Sequence, residues 1–95
     1  MILLNGTTTA GLTKTYEEEL KSKAPNLQVI LRGNARFQKY PKSMLIDITG
    51  NNTEQAANLA KALGILLDLF PEGENASAAA VESADFIIIL GEDKK

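Results

Sequence analysis

The two ends of this chain carry its most uniformly apolar segments, and these segments limit the possible folds most strongly. Residues 2–4 (ILL) open the chain, and residues 86–90 (FIIIL) lie near its end. Strands that are apolar at every position are typical of the middle of a sheet, where both faces are covered or neighbouring strands protect them. The sequence therefore predicts one sheet in which the first and last strands pair near the centre.

Three further segments alternate between apolar and polar residues, as expected of strands with one solvent-facing side. They span residues 27–32, 44–49 and 65–70. The apolar positions predicted to face inward are Leu27, Val29, Leu31, Met44, Ile46, Ile48, Ile65, Leu67 and Leu69. Together with segments 2–5 and 86–90, they predict a sheet of five strands.

The first helix is predicted over residues 10–23. Leu12, Tyr16 and Leu20 recur at four-residue spacing and would share one buried face. Pro25 follows and disfavours helical geometry at the residue before it, so the helix should stop there.

The second helix is predicted to begin at Asn52 or Thr53 and to end at Gly64. Gln55 is placed to bond back to Asn52, and a glycine after the last turn is a common helix terminator. Its apolar stripe consists of Ala56, Leu59, Ala60 and Leu63. The small alanines in this stripe favour close packing of the helix on a sheet.

The predicted element order is β-α-β-β-α-β-β, with a strand–helix–strand unit and a right-handed crossover at each end. We expect an α/β fold, a two-layer sandwich in which two main helices pack on a mixed five-stranded sheet. The 95 residues fit a single domain spanning 1–95. Residues 71–85 (PEGENASAAAVESAD) leave two alternatives open, a loop or one short helical turn.

Composition excludes several classes of function. The chain has no cysteine and no histidine, which removes disulfides, thiol catalysis and the commonest metal ligand. The formal net charge of −2 provides no general attraction for nucleic acid or an anionic membrane. No apolar run approaches the roughly 20 residues of a membrane-spanning helix. We predict no catalytic residue, no metal site and no cofactor.

Residues 6–13 (GTTTAGLT) lie between the first strand and the first helix, where phosphate-binding loops occur. Gly6 and Gly11 have the spacing of such a loop, but Leu12 occupies the position of its lysine. Without that lysine, nucleotide hydrolysis is disfavoured, although amides at a helix start can still hold an anion or polar ligand. A structural strand-to-helix turn is the preferred interpretation.

Glycine recurs where predicted strands end. The positions are Gly6, Gly33, Gly50 and Gly91. Since glycine can adopt positive φ without steric cost, the default interpretation of this recurrence is turn chemistry at chain reversals.

The densest positive charge lies in residues 32–42 (RGNARFQKYPK), a segment that contains no acidic residue. Its basic side chains are Arg32, Arg36, Lys39 and Lys42, with Phe37 and Tyr40 among them. Cations interleaved with aromatic rings suit a single-stranded nucleic acid or a sugar-phosphate polymer. A solvated loop between two strands is the simpler alternative.

Several carboxylates lie on or beside predicted strands. They are Asp47, Asp68, Asp85, Glu92 and Asp93, and their spacing matches no metal site. Capping and solubility account for them. An enzyme that works through carboxylates would instead need them to converge in one pocket.

Short motifs also occur in a particular order along the chain. They are Asn5-Gly6-Thr7 after the first strand, Gly11-Leu12 at the first helix, Gly33-Asn34-Ala35 after the second strand, EQAANLAKALG, and ADFIIILGED at the end. In this order they resemble the C-terminal domain of LytR-type proteins, which follows the LytR-CpsA-Psr catalytic domain in bacterial cell-envelope chains. The resemblance covers nearly the whole sequence. It departs from the family at Pro25-Asn26-Leu27, where a glycine followed by an aromatic or aliphatic residue usually leads into the second strand. It also departs at the strand after Ser43, which usually begins with threonine.

The resemblance implies an extracytoplasmic, cell-envelope-associated accessory domain without catalytic activity, excised from a longer chain with an upstream membrane helix. We expect it to bind or orient an anionic cell-wall glycopolymer, peptidoglycan or an envelope protein. A nucleic-acid-binding module that uses residues 32–42 is the alternative, which the old family label of transcriptional attenuator encourages and the net acidity opposes. The candidate ligand-binding residues are Asn5, Gly6, Thr7, Thr8, Thr9, Arg32, Asn34, Arg36, Lys39 and Tyr40.

Overall fold

The computed structural model describes residues 1–25, 29, 31–37, 39–48, 53–68, 74 and 85–94. The elements are β1 (Ile2–Asn5), α1 (Leu12–Lys23), β2 (Leu31–Asn34), β3 (Met44–Asp47), α2 (Thr53–Leu63), β4 (Leu66–Leu67) and β5 (Phe86–Leu90), followed by a 3-10 turn at Glu92–Lys94. This order confirms the predicted α/β fold with a mixed five-stranded sheet and two main helices.

The sheet has the strand order β2-β1-β5-β3-β4. β1 is parallel to both β2 and β5, whereas β3 is antiparallel to β5 and parallel to β4. The first and last strands therefore pair in the middle of the sheet, as their apolar runs predict.

Both helices pack on one face of this sheet. The buried residues of α1 are Leu12, Tyr16 and Leu20, and those of α2 are Ala56, Ala60 and Leu63, as predicted; they form one core cluster with Leu3, Leu45, Ile88 and other strand residues. A second cluster covers the opposite face and contains Ile2, Leu4, Ala35, Ile46, Ile87 and Ile89, with Tyr40, Met44 and Ile48 packed against it. Burial on both faces explains why β1 and β5 are apolar at every core position.

One buried polar atom in the helix-side cluster has no hydrogen-bond partner among the described residues. It is the hydroxyl oxygen of Tyr16. Burial raises the pKa of Tyr16 to about 12, and the charges of Glu19 and Asp93 act in the same direction. An unpaired buried hydroxyl costs stability, which makes this position a natural target for mutation.

The prediction of one solvent-facing side is wrong for β3 and β4. In β3, Leu45 and Ile46 lie on opposite faces of the sheet and both are buried. In β4, Leu66 and Leu67 are 50% and 44% exposed, so the predicted inward position of Leu67 is wrong. The reason is that the helix-side cluster covers one face of β3 and the second cluster covers the other, while β4 is the last strand of the described sheet.

Some predicted boundaries also differ. β2 does not end at Arg32 but continues through Asn34, because Gly33 and Asn34 pair with Leu4 and Asn5 of β1. β3 ends at Asp47, and β4 comprises two residues. The predicted strand positions 27, 28, 30, 49, 69 and 70, the cap at Asn52 and all of segment 71–85 except residues 74 and 85 lie outside the described residues.

Glycine plays two different roles in this fold. Among the described residues, Gly11 (φ 77) before α1 and Gly64 (φ 67) after α2 have positive φ. The helix α1 starts at Leu12 rather than at residue 10 because the left-handed Gly11 precedes it. Gly6, Gly33 and Gly91, which follow predicted strands, do not have positive φ, and Gly50 lies outside the described residues.

Candidate binding site at the carboxyl edge of the sheet

The two segments that carry the candidate binding residues meet at one edge of the sheet. Because β1, β2 and β5 are parallel, their carboxyl ends lie together, with Asn5 opposite Asn34 on one side and Leu90 on the other. β3 runs in the opposite direction and therefore starts at the same edge, where Met44 pairs with Ile89. The turn after β1, the basic loop at residues 35–42 and the C-terminal turn all lie at this carboxyl edge.

The turn after β1 is held by its own side chains. The Oδ1 atom of Asn5 accepts hydrogen bonds from the Thr7 amide (3.0 Å) and the Thr7 hydroxyl (2.7 Å). The Asn5 Nδ2 donates to the Thr9 carbonyl (2.7 Å), and the Thr7 Oγ1 accepts from the Thr9 amide (3.1 Å). Asn5 and Thr7 are buried. These two side chains therefore shape the turn, since local bonds of this kind use their polar atoms.

Gly6 lets the basic loop approach β1 and β5. Its amide donates to the Leu90 carbonyl (2.8 Å), and its carbonyl accepts from the Tyr40 amide (3.1 Å). A Cβ atom at Gly6 would lie 2.5 Å from both the Leu90 carbonyl oxygen and the Tyr40 ring. Glycine is needed here for close packing, and the residue offers no side chain to a ligand.

Beyond this turn lies an open depression of about 220 Å³. Its lining residues are Asn5, Thr7, Thr8, Thr9, Ala10 and Asn34. Thr8 and Asn34 are exposed, so their polar side chains reach solvent at its rim. Leu12, which occupies the lysine position of a phosphate loop, is buried in the helix-side core. This stretch is a strand-to-helix connection in which the lysine position is a core position.

Arg32, another candidate binding residue, pairs with a side chain of α1. Its Nε and Nη2 atoms donate to the two carboxylate oxygens of Glu17 at 2.7 Å and 2.6 Å. Arg32 lies opposite Leu3 in the register, which places it on the helix side of the sheet. The hydrogen bond from Arg32 lowers the pKa of Glu17. Arg32 therefore forms an ion pair that ties β2 to α1.

The basic loop is organised around the carboxylate of Glu74. Glu74 is 9% exposed, and its Oε1 accepts a hydrogen bond from the Arg36 amide at 2.5 Å. Its Oε2 accepts from the Tyr40 hydroxyl at 2.5 Å and lies 3.5 Å from the Phe37 amide. Burial, together with the hydrogen bond to Glu74 and its charge, raises the pKa of Tyr40. Tyr40 is therefore a structural anchor of the loop, and its ring packs on the second core cluster instead of offering a stacking face.

The exposed side chains of the basic loop include Arg36, Phe37 and Lys39. The Phe37 ring is 36% exposed, and the Arg36 guanidinium carbon lies 5.7 Å from its centroid. This separation permits a cation–π interaction. Lys42, at the end of the loop, is also exposed. The loop thus presents positive charge beside an accessible aromatic ring.

The end of the basic loop is fastened to the C-terminal turn. The Oδ1 of Asp93 accepts from the Ser43 amide (2.8 Å) and hydroxyl (2.7 Å), and the Ser43 hydroxyl accepts from the Gly91 amide (2.8 Å). The Glu92 amide donates to the Tyr40 carbonyl (2.8 Å). Lys94 donates to the Leu63 carbonyl at the end of α2 (3.3 Å), where a cation is favourable. The loop is therefore held from both β1 and the chain end.

The acidic residues do not gather into one site. Asp93 lies at the carboxyl edge and bonds Ser43. Asp47 and Asp85 lie at the opposite edge, at the end of β3 and just before β5. Asp68 follows β4, which is parallel to β3, and so also lies away from Asp93. In the part of the chain that the structure describes, no three acidic residues are grouped to hold a metal ion, and no helix has the length and apolar content to cross a membrane.

Comparison with protein-family models, with curated proteins and with solved structures found no match to this chain. The resemblance to the LytR C-terminal domain therefore rests on the ordered residues quoted above.

Most of the candidate residues lie at one edge of the sheet, and the structure adds a structural contact for several of them. Thr8, Thr9, Asn34, Arg36 and Lys39 lie at the depression or on the loop, whereas Asn5, Gly6, Thr7 and Tyr40 shape it and Arg32 lies elsewhere. Glu74 was missed, because it lies in a segment with no motif and reaches the loop from 34 residues or more away in sequence. Only burial in the folded structure distinguishes Glu74, and burial cannot be read from its sequence segment.

Proposed function

We propose that this domain is a non-catalytic binding module that holds a cell-wall glycan at the carboxyl edge of its sheet. The observation that carries this proposal is the anchored basic loop, which presents Arg36, Phe37 and Lys39 at the same edge of the sheet as a polar depression. The cell-envelope setting and the extracytoplasmic location rest on the resemblance to the LytR C-terminal domain.

The chemistry of this edge suits a sugar polymer with scattered anionic groups. An exposed aromatic ring such as Phe37 can lie against the apolar face of a sugar, and the exposed Thr8 and Asn34 side chains can exchange hydrogen bonds with hydroxyl or acetamido groups. Arg36 and Lys39 can meet carboxylate or phosphate groups. Peptidoglycan and its anionic glycopolymers combine these groups in one chain.

Nucleic acid is the second candidate, because the same cations and ring could bind a single strand. Two features of this edge oppose it. Glu92 and Asp93 lie beside the loop, with the Glu92 backbone amide donating to the Tyr40 carbonyl, and their carboxylates would repel a continuous row of phosphates. Tyr40, which sequence reasoning offered as a stacking platform, is held by Glu74.

Amide chemical shifts of the labelled domain would test both candidates during titration with muropeptides, wall teichoic acid and single-stranded RNA. We expect saturable shifts at residues 8, 9, 34, 36, 37 and 39 with a wall fragment, and weak, salt-sensitive shifts with RNA. The double variant Arg36→Ala/Lys39→Ala should weaken binding about tenfold or more, since it removes two charged contacts.

The matched control is Lys21→Ala/Lys23→Ala. It removes the same charge from the exposed end of α1, near the opposite edge of the sheet. If this control weakens binding as much as the loop variant does, the interaction reflects net charge alone. If wall fragments cause no shifts at the carboxyl edge, the proposed function is wrong.

A further inference from the structure

The donor groups that hold Glu74 form a compact arrangement for one carboxylate. The amides of Arg36 and Phe37 are consecutive in the chain and face different oxygens of the same carboxylate, at 2.5 Å and 3.5 Å. The Tyr40 hydroxyl adds a third donor at 2.5 Å. Donors in a fixed array of this kind match a planar carboxylate, which has two acceptor oxygens.

The shape of this donor array does not depend on Glu74 alone. The Ala35 amide donates to the Asn5 carbonyl (2.9 Å), and the Tyr40 amide donates to the Gly6 carbonyl (3.1 Å). The Tyr40 carbonyl accepts from the Glu92 amide (2.8 Å). These bonds fasten both ends of the 36–40 stretch to β1 and to the C-terminal turn. The donors would therefore stay in place if another carboxylate took the position of Glu74.

We propose that the Arg36 amide, the Phe37 amide and the Tyr40 hydroxyl form a carboxylate-binding site, which Glu74 fills from within the chain and a carboxylate-bearing ligand fills in its place. Glu74 then competes with the ligand for these three donors, and so it sets the ligand concentration that binding requires. The site lies in the loop whose exposed Arg36 and Lys39 side chains attract anions. For the identity of the natural ligand, this inference rests on the proposed function, since wall peptides carry carboxylates.

The experiment uses acetate as the probe. In the Glu74→Ala variant, acetate should cause saturable shifts of the Arg36 and Phe37 amides, because the vacated donors need an acceptor. Wild-type protein should show no such shifts at the same concentrations. Adding Tyr40→Phe to Glu74→Ala should weaken acetate binding about tenfold, since it removes one hydrogen bond to a charged group.

The central strand β5 reports whether the variant is folded. If the amides of Phe86–Leu90 keep their wild-type shifts in Glu74→Ala while acetate leaves the loop amides unmoved, the proposed site does not exist. If Glu74→Ala does not fold, Glu74→Gln keeps the side-chain volume and removes the charge. Glu74→Gln should then bind acetate more tightly than wild type does, and equal or weaker acetate binding would overturn the inference.

The acetate result is independent of the wall ligand. A positive acetate result with no muropeptide binding to wild type or Glu74→Gln would retain the site and refute the wall-glycan function. Muropeptide binding without acetate binding to a folded Glu74→Ala variant would refute the carboxylate site and retain the wall-glycan function.

Discussion

Replacing Gly91 with alanine provides the sharpest test of how this edge is assembled. A Cβ atom at Gly91 would lie 2.4 Å, 2.7 Å and 2.8 Å from the carbonyl carbon, carbonyl oxygen and amide nitrogen of Lys42. Carbon atoms in good contact are about 3.5 to 4.0 Å apart, so the Lys42 backbone would have to move by roughly 1 Å. Because these are backbone atoms, no side-chain rotation can relieve the clash.

The expected loss of stability follows from what that movement disturbs. Overpacking of this kind costs about 1 to 3 kcal/mol. The hydrogen bonds from Gly91 to Ser43 and from Ser43 to Asp93 lie in the same contact, and each contributes about 1 kcal/mol. Gly91→Ala should therefore lower the free energy of unfolding by about 3 kcal/mol or more. For a domain of this size that is roughly a third of the total stability and a fall in Tm of at least about 12 °C.

Gly33→Ala is the matched control. A Cβ atom there would meet only the Leu4 Cδ2 at 3.7 Å, which is an ordinary contact, so its unfolding free energy should change by less than about 1 kcal/mol. Urea unfolding of both variants and wild type measures the difference. Equal stability of Gly91→Ala and Gly33→Ala would refute the close approach between the C-terminal turn and the basic loop.

Three further predictions concern other parts of the chain. Leu12→Lys should not create nucleotide binding in an ATP titration and should cost about 2 to 5 kcal/mol in urea unfolding, whereas the volume-matched Leu12→Met should cost less than about 1.5 kcal/mol. Tyr16→Phe should raise stability at neutral pH by about 1 kcal/mol by removing a buried hydroxyl that has no partner among the described residues. Arg32→Ala should leave wall-fragment binding unchanged and raise the pKa of Glu17, as measured by carbon-detected NMR titration.

Two of these predictions carry a pH dependence whose sign follows from the shifted groups. The pKa of Tyr16 is raised from 10.0 to about 12, so the folded state keeps a proton that the unfolded state loses, and stability falls between these two pH values. Tyr16→Phe should reduce that fall. The pKa of Glu17 is lowered, so its contribution is present above the ordinary carboxyl pKa and is lost as pH falls through the folded-state pKa. Arg32→Ala should reduce the loss at acid pH, and an unchanged acid profile would contradict the ion pair.

Patterns within single segments predicted the elements well because local chemistry controls them. The spacing of Leu12, Tyr16 and Leu20 identified the buried face of α1, and Gly64 marked the end of α2. The uniformly apolar runs of β1 and β5 also predicted their central pairing, since such strands need cover on both faces. The exposure of a strand at the edge of the sheet could not be predicted from the pattern of its own segment. The apolar–polar alternation of residues 65–70 predicted that Leu67 faces inward, yet Leu67 is exposed because β4 lies at the end of the described sheet.

The features of the candidate site also separate into those that the sequence predicts and those that depend on tertiary contacts. The sequence by itself identified a polar turn, a basic segment and the absence of a phosphate-loop lysine, because residue types and spacings carry that information. Only the tertiary structure decided that Arg32 pairs with Glu17, that Tyr40 is bound by Glu74, and that Gly6 and Gly91 serve close packing. These outcomes depend on contacts between residues far apart in the chain, and a hydrogen bond or a steric clash between distant residues leaves no periodic trace in either segment.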